Sequence, residues 1–380
     1  MKICMIFPTY PPNYQVDGIG DYTEALVQKL RERGHDVFVI TSGRYAGTDG
    51  KVIKIGGGEW RFRELIKVFK RIRKEKFDVV NMQYTPVTYG FGMSFKFLPL
   101  LVKLSAHDIL FVTTFHTLVG GGFISKINAA LLTIFSHRII STHEELTRLF
   151  KKWLGVFRGK LSQIPIGPNI LPVSVDADRI RQELKKKYGI AESTTVLINF
   201  GFPSPGKGLE TLCDAMKILS RKGQYCLIFL GAVRDEHVEY QHELKGIIMR
   251  QGLEKEIIWI GGVGDETVSE ILQASDICVL PYEDGISIRR GSLMAAMVHG
   301  LPIVSTFPRV EVPYFKEKEN VLLVRPGDGK ALAEAIEELS RDDALREKLS
   351  RNITETAKEF DWDKIADETL EVYLRRGSNL

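Results

Sequence analysis

The chain has 380 residues, of which 44% are hydrophobic and 26% charged, and its net charge is +4 at neutral pH. This length is too great for one ordinary compact core, so the composition predicts a globular protein of two domains. The mild positive charge argues against broad nucleic-acid binding, but it is compatible with a basic face toward phosphates or anionic lipid.

Short apolar runs alternate with segments of helical period through both halves of the chain. In the first half, strands are predicted at 2–7, 36–41, 77–82, 109–115 and 138–142, and helices at 20–33, 62–74 and 123–135. In the second half, strands are predicted at 195–200, 225–230, 256–261, 276–280, 302–306 and 320–324, followed by helices at 328–339, 344–358 and 362–375. This alternation predicts an α/β fold with a parallel, doubly wound sheet in each half.

The proline-rich segment 165–178 is predicted to link a first domain, residues 1–170, to a second domain, residues 171–358. Two doubly wound domains can face each other across a cleft that contains their ligand crevices. The N-terminus is predicted to be a strand rather than a signal peptide, and no apolar window reaches the roughly 18 residues of a membrane-spanning helix. The four scattered cysteines are expected to be reduced, buried and structural, which indicates a cytoplasmic protein.

A strongly basic motif follows the predicted strand at 276–280. The segment 287–302, SIRRGSLMAAMVHGLP, places Arg289, Arg290, Gly291 and Ser292 at a predicted helix start. Free backbone N–H groups at a helix start carry partial positive charge, and guanidinium groups match phosphate oxygens two at a time. The motif therefore predicts a diphosphate-binding site, and the alternative is a solvated arginine pair on a surface turn.

Four other motifs follow predicted strands, and each has a structural alternative. Gly18 and Gly20 follow the first strand and would allow close approach of a phosphate, although a plain turn explains them equally well. His116 ends the fourth strand, where a histidine is more often structural than catalytic. The segment 199–208 contains Gly201 and Lys207, with a solvent-facing lysine as the alternative, and Gly231 follows a strand that is equally explained as a buried one.

Together these motifs resemble the retaining, nucleotide-sugar-dependent glycosyltransferases of family 4, which have the two-domain GT-B architecture. The resemblance covers nearly the whole chain. It implies that Gly18 and Gly20 approach the donor phosphates, that Lys207 contacts the donor diphosphate and that His116 lies near the donor sugar. It also implies that the strand ends at Gly231 and at 257–262 flank the nucleotide base. The aromatic residue Trp362 resembles the start of the family's terminal helix, so residues from about 359 to 380 are expected to complete the first domain.

The sequence departs from the family pattern at several positions. Thr117 follows His116 where an acid is usual, and Phe202 occupies the place of an arginine, whose charge Arg289 or Arg290 would then supply. Ala295 stands where a ribose-binding glutamate is expected, and Asp284 lies near the place of a second glutamate. The Arg-Arg-Gly-Ser pattern resembles a minor branch of the family, which indicates a variant site; an inactive relative is the alternative.

Glycosyl transfer from such a donor leaves negative charge on the departing diphosphate, and a site of fixed charges must stabilise it. We call Lys207, Arg289 and Arg290 the cation cluster and predict that it does this together with two helix N-termini. None of these motifs contains a pair of acids with an obvious cation-binding spacing, so we predict no metal site, no cofactor and metal-independent catalysis. The resemblance implies retention of configuration without an enzymic nucleophile. In that scheme His116 orients or polarises a group near the donor sugar, and Asp284 binds a sugar hydroxyl.

The sequence thus predicts a glycosyltransferase that moves a sugar from a nucleotide diphosphate donor to a glycan or lipid-linked acceptor. A sugar-nucleotide epimerase of the same fold and a non-catalytic nucleotide-sugar binder are the alternatives. The basic segment 61–76 has apolar residues at helical spacing, which is typical of a solvated helix with one core face. It is also suited to an anionic lipid surface, so peripheral membrane association is a second interpretation. No nucleic-acid partner is predicted.

Overall fold

The structure is a computed structural model that describes residues 1–12, 18–57, 60–89, 94–118, 123–153 and 155–375. The chain divides into two compact units. The N-unit comprises Met1–Asn169 and Phe360–Leu380, and the C-unit comprises Ile170–Glu359. The main chain therefore crosses from one unit to the other twice, and the last helix belongs to the N-unit.

The N-unit contains a seven-stranded parallel sheet whose strand order is β3-β2-β1-β4-β5-β6-β7. The interior strand β1 is flanked on both sides, with Met5 opposite Val39 and Asn81. The edge strands β3 and β7 were not predicted, because each is short and only partly buried. The strands are β1 (Lys2–Ile6), β2 (Asp36–Ser42), β3 (Val52–Ile55), β4 (Val79–Tyr84), β5 (Leu110–Phe115), β6 (Arg138–Ser141) and β7 (Leu161–Gln163).

Helices cover both faces of this sheet. The helices before the C-unit are α1 (Gly18–Glu32), α2 (Phe62–Glu75), α3 (Pro86–Tyr89), α4 (Leu98–Ser105), α5 (Phe123–Phe135) and α6 (Glu144–Trp153). Successive residues of β1 point to opposite faces, as the twofold period of a strand requires. Cys4 and Ile6 pack in a core with side chains of α2, α4, α5 and α6, whereas Ile3 and Met5 pack in a second core with side chains of α1.

The C-unit contains a six-stranded parallel sheet of order β10-β9-β8-β11-β12-β13. These strands are β8 (Thr195–Phe200), β9 (Tyr225–Leu230), β10 (Ile257–Ile260), β11 (Ile277–Leu280), β12 (Ile303–Thr306) and β13 (Leu322–Val324). The strand order reverses between β8 and β11, because the chain winds outward from β8 in both directions. In such sheets, ligands bind beyond the carboxyl ends of the strands at this reversal.

The helices of the C-unit are α7 (Ala177–Tyr188), α8 (Leu209–Leu219), α9 (Val238–Gln251), α10 (Asp265–Gln273), α11 (Gly291–Val298), α12 (Gly329–Arg341) and α13 (Asp343–Ala357). Helices α8, α9 and α12 share one apolar core with the sheet. The predicted linker ends two residues early, because the Asp176 carboxylate accepts a hydrogen bond of 3.1 Å from the backbone N–H of Arg179 and caps α7.

The last helix, α14 (Trp362–Leu374), packs in the N-unit against α1. The indole N–H of Trp362 donates to the carbonyl oxygen of Pro168 over 2.8 Å. The ring lies so close to Gly167 that a Cβ at that position would be 2.5 Å from it. The start of α14 is thereby fixed to the end of the first segment of the N-unit.

All four cysteines are buried, as expected from their apolar context. Burial raises the pKa of the Cys213 thiol to about 12 and that of Cys226 to about 11, so neither is a reactive thiolate near neutral pH. Among the helices in the described part of the chain, none combines the length and apolar character needed to cross a membrane.

Candidate functional site

The predicted donor-site residues of the C-unit follow strands β8, β9 and β11, at the reversal of strand order. Residues 201–208 connect β8 to α8, residues 231–237 follow β9, and residues 281–290 connect β11 to α11. The backbone N–H of Glu283 donates to the carbonyl oxygen of Gly206 over 3.1 Å and joins two of these loops. The candidate site is thus formed by neighbouring loops at the carboxyl ends of the strands.

Two glycines bring the loops after β8 and β9 into backbone contact. Gly201 has a φ of +116° and donates its N–H to the carbonyl oxygen of Leu230 over 2.8 Å. Gly231 has a φ of +153°, and a Cβ there would lie 2.6 Å from the carbonyl oxygen of Gly201. A side chain at Gly231 is therefore excluded by backbone, whether or not a ligand binds nearby.

Lys207 is held beside the start of α11. A Cβ on Gly201 would lie 3.0 Å from Lys207 Nζ and 3.5 Å from Ser292 Cβ, so both side chains border this glycine. Gly208 has a φ of +67°, and a Cβ there would lie 2.0 Å from the carbonyl oxygen of Pro281. This close approach of the two loops requires glycine after the lysine and fixes the lysine's backbone.

Both arginines of the predicted motif bind one carboxylate. Arg289 Nη2 donates to Asp284 Oδ2, and Arg290 Nη2 donates to Asp284 Oδ1 over 2.6 Å. Their side chains are only 26% and 23% exposed. The Arg290 guanidinium also lies 4.5 Å from the ring centre of Tyr282, whose hydroxyl is 2.7 Å from Ser292 Oγ. The arginines are therefore ordered side chains of the site rather than a solvated surface pair.

Asp284 binds both arginines. Each of its oxygens accepts a hydrogen bond from one guanidinium group. A carboxylate oxygen can accept a second hydrogen bond, so the predicted contact of Asp284 with a sugar hydroxyl stays a prediction. Ala295, at the place of the expected ribose-binding glutamate, is fully buried in α11 and presents no polar group. In this structure, Asp284 is a counter-ion that holds the two arginines.

Lys207 is surrounded by positive charge. Burial, followed by the charges of Arg290 and Arg234, lowers the pKa of Lys207 to about 7. No carboxylate within the described residues pairs with its ammonium group. The Nε of Arg290 is likewise buried without a hydrogen-bond partner among those residues. A bound anion would relieve both conditions, because it attracts the cations and accepts their hydrogen bonds.

Arg234 was missed in the sequence analysis. Its guanidinium lies 4.4 Å from the ring centre of Phe202, the residue that stands in place of the family's arginine. It also forms an ion pair of 3.7 Å with Glu236, in which the two side chains are 38% and 65% exposed. The signal available in the sequence was a basic residue four positions after the predicted end of β9, in the loop next to the one that contains Lys207.

His116 lies in the N-unit, directly after β5. Its Nε2 is 2.8 Å from Gln83 Oε1, and its ring centre is 4.8 Å from that of Tyr22. Burial, and to a lesser degree the charge of His143, lowers the pKa of His116 to about 3. The imidazole is therefore neutral near neutral pH, and any role it has is that of a neutral hydrogen-bonding group.

Gly18 and Gly20 lie in the first turn of α1 rather than in a loop before it. A Cβ at Gly20 would be 2.5 Å from the carbonyl oxygen of Thr9, whereas the space around Gly18 is open. Packing of the chain against itself is thus sufficient to require glycine at position 20. The neighbouring Asp17, part of the same motif, lies outside the described residues.

Comparisons with known proteins agree with this architecture. Family models described as "Glycosyltransferase Family 4" and "Glycosyl transferases group 1" match residues 16–170 and 180–356. A phosphatidyl-myo-inositol mannosyltransferase of Mycobacterium leprae is 25% identical over 98% of this chain and 96% of that protein.

Solved structures show the same fold over the whole chain. Sucrose-phosphate synthase from Thermosynechococcus elongatus has a TM-score of 0.77 at 18% identity and covers 98% of each chain. The Anabaena protein HepE, in complex with UDP and glucose, has a TM-score of 0.76 at 18% identity, again over 98% of each chain.

Two doubly wound parallel sheets with these structural neighbours define the GT-B fold. The two family models match successive segments that together span most of the sequence, and the chain belongs to the family 4 glycosyltransferases. The fold, the enzyme class and the family predicted from the sequence are confirmed. The roles of individual site residues stay predictions.

Proposed function

We propose that this glycosyltransferase moves a sugar from a nucleotide diphosphate donor to a glycan or lipid-linked acceptor, with retention of configuration and without a metal ion. The observation that carries the proposal is the cation cluster. Lys207, Arg289 and Arg290 lie in loops that follow β8 and β11, and they border the start of α11.

The chemistry of transfer explains why cations are needed there. The bond between the anomeric carbon and the diphosphate oxygen breaks, and the bonding electrons remain on the diphosphate. Fixed positive groups stabilise this charge more in the transition state than in the intact donor, which lowers the barrier. Removing one of them is expected to raise the barrier by about 2–4 kcal/mol, as for loss of an oxyanion donor. In this scheme, the cation cluster does the work that a divalent metal does elsewhere.

We assign no enzymic nucleophile, in keeping with retention through attack of the acceptor on the face that the diphosphate leaves. His116 is neutral, so in this scheme it orients a donor or acceptor hydroxyl by hydrogen bonding rather than by charge. Its contact with Gln83 supports that use, because Gln83 holds one nitrogen and thereby fixes the ring.

Surface features of α2 support a lipid-linked acceptor. Leu65, Val68 and Ile72 pack in the core, and the exposed side is basic. Phe62, at the start of the helix, is 65% exposed. An aromatic residue at the edge of a basic helical face is typical of contact with an anionic membrane surface. The M. leprae relative is named for a phosphatidyl-myo-inositol acceptor, which is a membrane lipid.

The donor and the reaction are tested together. A thermal-shift screen over UDP-, GDP- and ADP-sugars identifies the donor, because a ligand that binds the folded state raises the unfolding temperature. Transfer of that sugar is then measured with glycan and lipid-linked acceptors in excess chelator, and the anomeric configuration of the product is read by NMR. We expect transfer with retention that persists in chelator and falls in Lys207→Ala. The matched control is Lys217→Ala, which should leave activity unchanged. Lys217 is exposed and lies in the last turn of α8, the helix that follows the loop of Lys207.

Each alternative gives a different result. Abolition by chelator with rescue by magnesium would refute metal independence, and an inverted product would refute retention. Isomerisation of the donor without acceptor would indicate an epimerase. Binding without transfer or hydrolysis would indicate a non-catalytic relative.

Membrane contact is tested by co-sedimentation with phosphatidylcholine vesicles, with and without phosphatidylserine, at low and high salt. We expect binding to the anionic vesicles at low salt only. Reversing two exposed charges of α2, in Lys67→Glu/Lys70→Glu, should weaken it about thirtyfold or more, from about 1 kcal/mol per basic residue. The same reversal on the C-unit, in Lys217→Glu/Lys330→Glu, is the control for net charge. Absence of wild-type binding at low salt would refute the contact.

A further inference from the structure

We propose that Arg234 is a donor-binding residue that contacts the diphosphate beside Lys207, and that the ring of Phe202 holds its guanidinium in position. This inference rests on the proposed function, since it names a further residue of the same site. Sequence reasoning assigned the charge missing at position 202 to Arg289 or Arg290, but the geometry points to Arg234.

The loops after β8 and β9 lie side by side. Strands β8 and β9 are paired in register, with Phe200 opposite Leu230, so the loops after them leave the sheet at the same level. Phe202 comes two residues after the first strand end and Arg234 four residues after the second. The backbone contact between Gly201 and Gly231 holds these loops together. Arg234 is therefore brought to the loop that contains Lys207 by ordinary main-chain packing.

The guanidinium group of Arg234 contacts the ring of Phe202. A phenyl ring cannot bind a phosphate, but its face attracts a cation, and the Arg234 guanidinium lies 4.4 Å from the ring centre. Phe202 directly follows Gly201, whose open side is bordered by Lys207 Nζ. The ring of Phe202 thus holds the positive charge of Arg234 at a position where Phe202 itself has no charge. The attraction of a guanidinium to a ring face uses none of its hydrogen-bond donors.

The three arginines of the site differ in their ion pairs with carboxylates. Arg289 and Arg290 share Asp284, so one negative charge already offsets part of theirs. The pair between Arg234 and Glu236 is longer, at 3.7 Å, and more exposed, so it is weaker and exchanges more readily with another anion. Arg234 and Arg290 both repel the Lys207 ammonium, which depresses its pKa. One diphosphate that touches all three groups converts this repulsion into attraction.

The test uses inorganic pyrophosphate as the probe and the full-length protein, with binding measured by isothermal titration calorimetry at pH 6 and low salt. At this pH Lys207 is mostly protonated, so a change in its pKa on removal of Arg234 has little effect on the result. We expect Arg234→Ala to weaken binding about tenfold, which corresponds to about 1.4 kcal/mol. Phe202→Leu keeps an apolar side chain but removes the ring face, and we expect a smaller loss of about threefold.

The matched control is Arg221→Ala. Arg221 is exposed and lies just beyond the far end of α8, about 16 Å along the helix from its start. We expect its affinity for pyrophosphate to equal that of the wild type, and unfolding temperatures show whether each variant is folded. Equal losses in Arg221→Ala and Arg234→Ala would indicate an effect of net charge alone and would overturn the inference.

A relocation experiment makes the test independent of loss of function. If the site needs a cation at this point, then Phe202→Arg should restore pyrophosphate binding to Arg234→Ala, to within about threefold of the wild type. Wild-type affinity in Arg234→Ala, or no recovery in the double variant, would overturn the role of Arg234. Failure of the proposed function gives a different pattern, in which the wild type binds no pyrophosphate or Lys207→Ala binds as well as the wild type.

Discussion

The lowered pKa of Lys207 predicts that donor affinity depends on pH. With a pKa of about 7, the ammonium form of Lys207 is abundant at pH 6 and scarce at pH 8. The diphosphate binds the protonated form, so affinity is full below the pKa and falls as pH rises through it. The protonated fraction changes from about 90% at pH 6 to about 10% at pH 8, so the dissociation constant should rise about tenfold over this interval. Arg234 and Arg290 are the charged neighbours of Lys207 that lower its pKa.

The assay is calorimetric titration with the donor identified in the screen. Each phosphate of a sugar nucleotide carries one ester and one anhydride bond and therefore has no second proton to lose in this range, so the pH dependence reports on the protein. Lys207→Arg is the matched variant, because its guanidinium stays charged and its affinity should be flat between pH 6 and 8. Lys207→Met should bind weakly at both pH values. A wild-type affinity that is equal at pH 6 and 8, or a Lys207→Arg variant with the same pH dependence as the wild type, would refute the reasoning.

Four further predictions concern single positions. Gly208→Ala should destabilise the protein by at least about 2 kcal/mol in urea unfolding, because it combines a positive φ with a clash against Pro281. The control is Gly252→Ala, at a φ of +69° with open space around it, which should destabilise the protein by about 1 kcal/mol. Trp362→Ala should cost about 3–5 kcal/mol, since it removes a buried ring and the hydrogen bond to Pro168; an unchanged unfolding curve would refute the role of α14. His116→Ala should lower turnover about a hundredfold and leave donor affinity within about twofold, and unaltered turnover removes His116 from the reaction. Asp284→Asn should slow transfer about tenfold without weakening pyrophosphate binding, because it removes the negative charge that holds Arg289 and Arg290 in place. If the variant instead loses affinity for the sugar nucleotide but not for the nucleoside diphosphate, Asp284 binds a sugar hydroxyl.

The sequence predicted the elements that are strongly periodic or fully buried. Strands β8 and β9 were placed at their observed bounds, because long apolar runs between glycines and polar turns leave little choice. The edge strand β3 was missed because it has only four residues, of which the middle two are not buried and one is a lysine. The two parallel sheets were predictable because strand–helix alternation permits few topologies.

At the candidate site, sequence reasoning identified residues that neighbour one another along the chain. Arg289, Arg290 and Lys207 were found because each stands in a recognisable run before a helix. The partners of these residues were not predictable, because they depend on how loops from different strands meet. The stacking of Arg234 on Phe202 and the sharing of Asp284 by two arginines arise from side-chain packing between positions that no local pattern connects.

These contacts change how the donor would be recognised. Of the two acidic positions expected to hold hydroxyls, Asp284 has both oxygens bound by guanidinium groups, and Ala295 is buried and apolar. Hydrogen bonds to specific hydroxyls discriminate strongly between sugars, because an unsatisfied buried group is costly, whereas charge acts on any diphosphate. In the described part of the C-unit, the fixed cations therefore favour recognition through the phosphates. Because the cations act on the diphosphate, which all these donors share, substitutions in the cation cluster should weaken all sugar nucleotides of one base to a similar degree.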